Sequence, residues 1–209
     1  MGGDKSEVRE FKKEPVTLTE RFLDALNYSN QQHAGQTRKS TNIAYISHPI
    51  GVAGLILEVG GDEDQAIAGL LHDVPENCRG EPRLAEILAK FGPRVEEIVR
   101  GCSDALPLEG EVEKPWKERK QAHLDELLRA NYDVLLVTAA DKTHSARAIA
   151  TDLDTVGYLV WNRFNASPEE IIWYYESVYW ILRNSKVTSS LMAQLQIAIE
   201  RMKMVKGYS

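Results

Sequence analysis

The chain has 209 residues, 43% hydrophobic and 27% charged, with a net charge of −6. That length and balance suit one folded domain with an appendage, and the acidic charge disfavours non-specific binding of DNA or RNA. No apolar run approaches the roughly 20 residues that cross a bilayer, so no membrane span is expected. Cys78 and Cys102 lack CxxC spacing, and no signal-peptide pattern is present. A reducing cytoplasm is therefore the expected setting.

Residues 1–15 mix charges without periodicity and read as a loose arm, with the folded domain expected over 16–205. The first six residues, Met1-Gly2-Gly3-Asp4-Lys5-Ser6, formally match a myristoylation pattern, but a loose start accounts for them more simply. Thr17-Leu18-Thr19-Glu20 has capping-box spacing and predicts a helix start. Phe22, Leu23, Leu26 and Tyr28 give that helix an apolar side, and it should stop near Gly35. Gln36 to Asn42 is a polar, basic loop. Ser47 is placed to cap the next helix, with Pro49 in its first turn and Val52, Leu55 and Ile56 inward. Asp62 is a cap for a third helix through Ala66, Ile67, Leu70 and Leu71. Pro75 removes a backbone donor and clashes with the preceding turn, so this helix should end or bend just after Asp73.

A short helix over 82–91 is closed by Gly92, and Pro93 opens another through Val95, Ile98 and Val99. Residues 103–115 are acidic, contain Pro107 and Gly110, and read as a loop beside the site. A helix from Trp116 to Ala130 should bury Leu124, Leu127 and Leu128. Val134–Val137 has strand composition, but the long helix-prone continuation favours a helix. Ser167-Pro168-Glu169-Glu170 combines an N-cap, Pro at the first helical position and a capping box, with Ile171, Ile172, Tyr175, Val178 and Leu182 inward. The last helix carries Leu191, Leu195, Ile199 and Met202. The expected fold is an all-α single domain.

The chemistry gathers where apolar helices carry polar residues. His72 and Asp73 end the apolar run Ala68-Gly69-Leu70-Leu71. A buried charged carboxylate costs several kcal/mol or more unless a partner or metal compensates, and His and Asp are good ligands for divalent ions such as Mn, Fe or Zn. His48 and Asp141, on other helices, complete a candidate set of two imidazoles and two carboxylates. Such a set leaves positions for water and substrate on a six-coordinate ion, which would polarise a phosphoryl oxygen and acidify a bound water. Glu76 is the candidate general base. Arg38 and Lys39 offer cationic donors for a phosphate or planar base. Plainer roles compete. Asp141 can pair with Lys142 or Arg147, Glu76 can serve as a first-turn acid, and His33, His123 and His144 are rival imidazoles. His144, three residues from Asp141, is expected to share its face and to support the site rather than ligate.

Five segments carry a family resemblance in a fixed order. They are HAGQTRKSTNIAYISHPIGVA (33–53), AGLLHDVPEN (68–77), CSD (102–104), LLVTAADKTHSARAI (135–149) and FNASPEEIIWYYESV (164–178). Together they resemble the HD-domain metal-dependent phosphohydrolases, and more narrowly the hydrolase domain of the RelA/SpoT proteins and their small stand-alone relatives. The resemblance implies metal ligands at His48, His72, Asp73 and Asp141, Mn2+ as the ion, and a nucleotide pocket lined by Arg38, Lys39, Ser40 and Ser145. It implies attack of water on the 3′-pyrophosphate of (p)ppGpp, releasing pyrophosphate. The family's catalytic Glu-Asp pair reads Glu76-Asn77 here, and its Asp-x-x-His-Asn motif ends in Ser145. Asn77 cannot take a proton, though its amide can orient a water. The expected partner is a small phosphorylated nucleotide. Alternatives are another phosphoester, such as a nucleoside monophosphate or NADPH, and a metal-keeping nucleotide-binding domain without turnover. The residues give no oligomeric state.

Overall fold

The computed structural model describes residues 15–77, 80–103, 114–185, 187 and 189–204. Helices dominate, and among the described residues the only β-pairing is an isolated antiparallel bridge between Thr37 and Ala44. The all-α expectation holds.

Helix α1 (Glu20–Gln32) starts at Thr19, whose hydroxyl accepts from the Arg21 amide. The cap is therefore Thr19 and not Thr17, and no capping box forms there, because the third helical residue is Phe22. Its buried side is Ala25, Tyr28 and Ser29, and Leu23 points outward at 49% exposed, because a residue one position from Phe22 turns about 100° off its stripe. Helix α2 (Ser47–Glu58) has no side-chain cap. Ile46 precedes it with backbone already helical (φ −54°, ψ −21°), and an N-cap side chain needs an extended backbone to fold back onto the first turn. Ser47 is thus the first helical residue, not the cap.

Helix α3 (Glu63–Leu71) has the expected Asp62 cap, and Gln65 completes a reciprocal capping box. It stops at Leu71, two residues earlier than predicted. The chain resumes as a single turn, α4 (Val74–Asn77). Pro75 sits in the first turn of α4, where its missing N–H leaves no bond unmade. The break puts His72 and Asp73 at a helix junction with their side chains turned to one side.

Helices α5 (Glu81–Phe91) and α6 (Pro93–Cys102) follow as read, hinged at Gly92 with φ +92°. The expected loop at 103–115 lies mostly outside the described residues. Helix α7 (Trp116–Leu127) ends earlier than predicted, and Leu128 is 67% exposed past its end. Helix α8 (Tyr132–Val156) is one 25-residue helix, capped by Asn131, and buries Val134 to Ala140 continuously. The possible strand is thereby excluded. A 3₁₀ turn (Gly157–Arg163) leads to α9 (Pro168–Asn184), whose Ser167–Glu170 capping box forms as predicted. Helix α10 (Ser189–Met204) buries Leu191, Leu195, Ile199 and Met202.

Helix α8 is the axis of the fold. It packs against α2, α3, α6, α9 and α10, which is why it is apolar nearly all round in its first half. A helix with no solvent face has no room for a polar stripe. Helices α2 and α3 lie unusually close. A Cβ at Gly69 would come within 2.6 Å of Ile56 Cδ1. Polar ties fix α3 and α6 to the start of α8. Arg94 reaches Asp62 at 2.9 Å and Asp133 at 2.8 Å, and Gln65 donates to Asp133 at 2.7 Å. These contacts set the mutual height of α3, α6 and α8, and the polar cluster described next sits at the end of α3 and the middle of α8.

Candidate metal centre

His48 is in the first turn of α2, His72 and Asp73 are at the α3–α4 junction, and Asp141 is in the middle of α8. The fold brings all four together. His48 Nε2 lies 3.2 Å from His72 Nε2, 3.3 Å from Asp73 Oδ2 and 3.2 Å from Asp141 Oδ1. His72 Nε2 lies 3.3 Å from Asp73 Oδ1 and 3.8 Å from Asp141 Oδ1. The imidazoles are 2% and 3% exposed, while the carboxylates keep 15% and 13%. The cluster is therefore sealed on its imidazole side and reachable from its carboxylate side.

Each of these groups has an outward partner. His72 Nδ1 is 2.8 Å from the Gly69 carbonyl. A carbonyl only accepts, so Nδ1 carries the hydrogen and neutral His72 presents a bare Nε2 to the cluster. His48 Nδ1 is 2.9 Å from His144 Nδ1. Tyr45 donates its hydroxyl to Asp73 Oδ2 at 2.6 Å, and Lys142 Nζ lies 2.7 Å from Asp141 Oδ2. Lys142 is thus the partner of Asp141 that the sequence left open against Arg147.

Charges follow the geometry. Burial works against protonation of His72, but the Asp73 and Asp141 carboxylates outweigh it and raise it to about 9. Burial likewise opposes ionisation of Asp73 and Asp141. The neighbouring imidazoles, and for Asp141 first the Lys142 ammonium, hold both carboxyls below their ordinary value. His144 is pushed down to about 4 by burial and by neighbouring His48 and Arg38, so it is neutral near pH 7. Two carboxylates held ionised beside imidazole nitrogens form a pocket that prefers a cation. The donor set of His48, His72 and Asp73, with one ligand atom from each all within 4.8 Å of one another, could hold a metal ion.

Of the remaining predicted residues, Arg38 and Ser145 interact with groups of this centre. Glu76 is exposed on α4, one turn beyond Asp73. Asn77 ends α4, and its side chain lies outside the described residues. Arg38 is on the loop joined by the Thr37–Ala44 bridge, and its guanidinium sits 5.8 Å above the Tyr45 ring. It also faces Tyr175 and His144 closely enough to act on their charges. Lys39 points to Phe164, with Nζ 5.8 Å from that ring, and Ser40 is exposed with a left-handed backbone at φ +56°. The Ser145 hydroxyl donates to Asp141 Oδ1 at 3.3 Å and lies close enough to Tyr175 to act on its ionisation. Of the rival histidines, His33 is buried against Tyr45, with ring centroids 4.7 Å apart, and bonds Gln36. His123 is buried beside Tyr174 on α9.

Tyr45, Lys142 and Tyr175 were not singled out from the sequence. Tyr45 stands three residues before His48, a helical spacing that could have flagged it. Lys142 beside Asp141 was visible only as a possible pair. Nothing in the sequence brings Tyr175 of α9 to Asp141 and Lys142 of α8.

The HD domain family profile matches residues 25–171, from α1 through the start of α9. The chain belongs to the HD-domain family. Among its relatives is the guanosine-3′,5′-bis(diphosphate) 3′-pyrophosphohydrolase MESH1 of Xenopus tropicalis, 34% identical over 129 residues that cover 60% of this chain and 68% of that one. The bifunctional (p)ppGpp synthase/hydrolase SpoT of Escherichia coli is 31% identical over 143 residues, 66% of this chain but only 19% of that protein. Among solved structures, one described as a metazoan ortholog of SpoT that hydrolyses ppGpp superposes with a TM-score of 0.70 at 24% identity. That match covers 89% of this chain and 97% of that chain, and it fixes the fold.

Proposed function

We propose that this protein is a metal-dependent hydrolase that removes pyrophosphate from the 3′ position of guanosine 3′,5′-bis(diphosphate). The observation that carries the reading is the convergence of His48, His72, Asp73 and Asp141, with separations of 3.2–3.8 Å across three structural elements. Membership of the HD-domain family and likeness to MESH1 supply the reaction class and substrate. Asp141 joins the other three as the fourth ligand, and Mn2+ is the proposed ion. When bound, a divalent ion supplies Lewis-acid polarisation of a phosphoryl oxygen and acidifies a water.

The protein's own groups do the rest. The sealed imidazole side fixes the depth of the site, and the partly open carboxylate side admits substrate. Glu76 is exposed at the rim and takes the proton of the attacking water. Asn77 orients that water through its amide and takes no proton. Arg38 offers a planar cation that can stack on a base or bind phosphate, assisted by Lys39 and Ser40 on the same loop. The water oxygen bonds to the phosphorus attached to the ribose 3′ oxygen, the bond from that phosphorus to the 3′ oxygen breaks, and the 3′ oxygen takes a proton, so that pyrophosphate carrying the water oxygen and a guanosine nucleotide are released.

A second reading, hydrolysis of a different phosphorylated nucleotide, is favoured by Ser145. Its hydroxyl is engaged with Asp141, where the related motif ends in an asparagine able to reach a nucleoside. The deciding experiment incubates the protein with Mn2+ and ppGpp, nucleoside monophosphates or NADPH, and measures pyrophosphate and phosphate released. The proposal expects pyrophosphate from ppGpp at a rate well above release from the others. Preferential release from another nucleotide would select the second reading. Binding without release from any substrate would point to a domain without turnover.

A further inference from the structure

We propose that His144 is a positioning residue that holds His48 in the orientation and tautomer needed to bind a metal ion, and that Gly51 exists to let it do so. The inference rests on the metal reading above and goes beyond it, because neither residue belongs to the donor set.

The geometry joins two helices. His48 and Gly51 are three residues apart on α2 and share a face. Asp141 and His144 are likewise three residues apart on α8. The two faces meet. The His48 and His144 rings lie 4.9 Å apart at an interplanar angle of 56°, and their Nδ1 atoms are 2.9 Å apart. One of those two nitrogens must carry the hydrogen. His48 Nε2 already faces His72 Nε2, Asp73 Oδ2 and Asp141 Oδ1. To offer a lone pair to an ion there, Nε2 must be bare, so the His48 hydrogen sits on Nδ1. His144 is then the acceptor, neutral, with its own hydrogen on Nε2. A histidine ligand is normally oriented through its other nitrogen by a carboxylate, a carbonyl or water. His72 follows that pattern through Gly69, whereas His48 uses an imidazole.

The His144 ring can occupy this place because α2 has no side chain at Gly51. A Cβ built there would overlap His144 at both Cδ2 and Nε2. Gly51 is in mid-helix, with no positive φ, so neither a turn nor a left-handed backbone asks for glycine. A glycine inside a helix is less favourable than alanine. The space that the ring fills accounts for it.

The test measures binding of Mn2+ alone to the full chain by titration calorimetry, with the metal-free melting temperature as a check on folding. His144→Leu removes the acceptor and is expected to weaken Mn2+ binding by about 10- to 100-fold. His144→Asn restores an oxygen acceptor near the position of Nδ1 and is expected to recover most of that loss. Gly51→Ala, on the other helix, is expected to displace the ring and weaken binding in the same range. Should His144→Leu bind Mn2+ as tightly as the wild type, or should His144→Asn be as weak as His144→Leu, the positioning role is overturned while the metal reading stands. Failure of the wild-type chain to bind Mn2+ would overturn both. If Gly51→Ala does not fold, the two substitutions at position 144 decide alone.

Discussion

His48 and His72 are buried on packed helices, and each has its outer nitrogen held by a hydrogen bond. Arg38, Lys39 and Ser40 ride on a loop tied down by a single β-bridge and a few backbone bonds. The first region is fixed by the core, and the second by local backbone bonds. A preorganised donor set suits an ion that tolerates little change in ligand geometry, while a loop suits a larger ligand whose shape varies. Tyr45 joins the two regions. Its ring lies under Arg38 while its hydroxyl bonds Asp73, so the loop is anchored to the metal centre at one point.

This contrast is broken most severely at Asp73. Asp73→Ala removes a donor and breaks the bond from the Tyr45 hydroxyl to this carboxylate. Metal-induced stabilisation, read as the shift in melting temperature on adding Mn2+, should vanish, and turnover should vanish with it. Glu76→Gln is expected to separate the two effects. Glu76 is exposed and outside the donor set, so Mn2+ affinity should stay within about twofold of wild type. The rate constant kcat should fall about 10²- to 10⁴-fold, the range for loss of a general base. Normal turnover in Glu76→Gln would assign the proton to another group. On the loop, Arg38→Ala should act mainly on KM. Loss of a charge-assisted hydrogen bond worth about 1.5–3 kcal/mol corresponds to roughly a 10- to 150-fold rise in KM. A fall in kcat of similar size with KM unchanged would place Arg38 at the reacting phosphate instead of the nucleotide.

The same contrast governs what could be read from the sequence. His72 and Asp73 were legible because two polar residues terminate an apolar run, and burial makes such residues costly without compensation. Asp62 and the Ser167–Glu170 box were legible because caps are local chemistry. Ser47 failed as a cap because Ile46 before it is already helical, and Thr17 because the helix begins after Thr19 instead; residue type records neither. Leu128 failed because, with a backbone still helical, it sits about 100° round the helix from buried Leu127 and faces solvent. The outer contacts, Tyr45 to Asp73 and His48 to His144, depend on how far α2, α3 and α8 are rotated about their axes. That rotation is set by tertiary packing, and a one-dimensional pattern does not record it.

The smallest expected effect lies on the imidazole side and is a matter of pH. In the metal-free protein His72 is raised to about 9 from its ordinary 6.5 by Asp73 and Asp141, against burial. A folded-state pKa above the unfolded one stabilises the fold fully below pH 6.5, and that stabilisation is lost as pH rises through about 9. Asp73 and Asp141 are lowered instead, so their contribution is present above about pH 4 and is lost on acidification. The metal-free melting temperature should therefore decline by a few degrees between pH 6.5 and 9. Metal binding should show the opposite slope. An ion must displace the His72 proton, so its affinity should climb with pH by up to about tenfold per unit until near pH 9. Differential scanning fluorimetry with and without Mn2+ across this window would show the two melting curves diverging as pH rises. Parallel curves would mean that His72 gives up no proton to the ion and that the donor set is drawn wrongly at that residue.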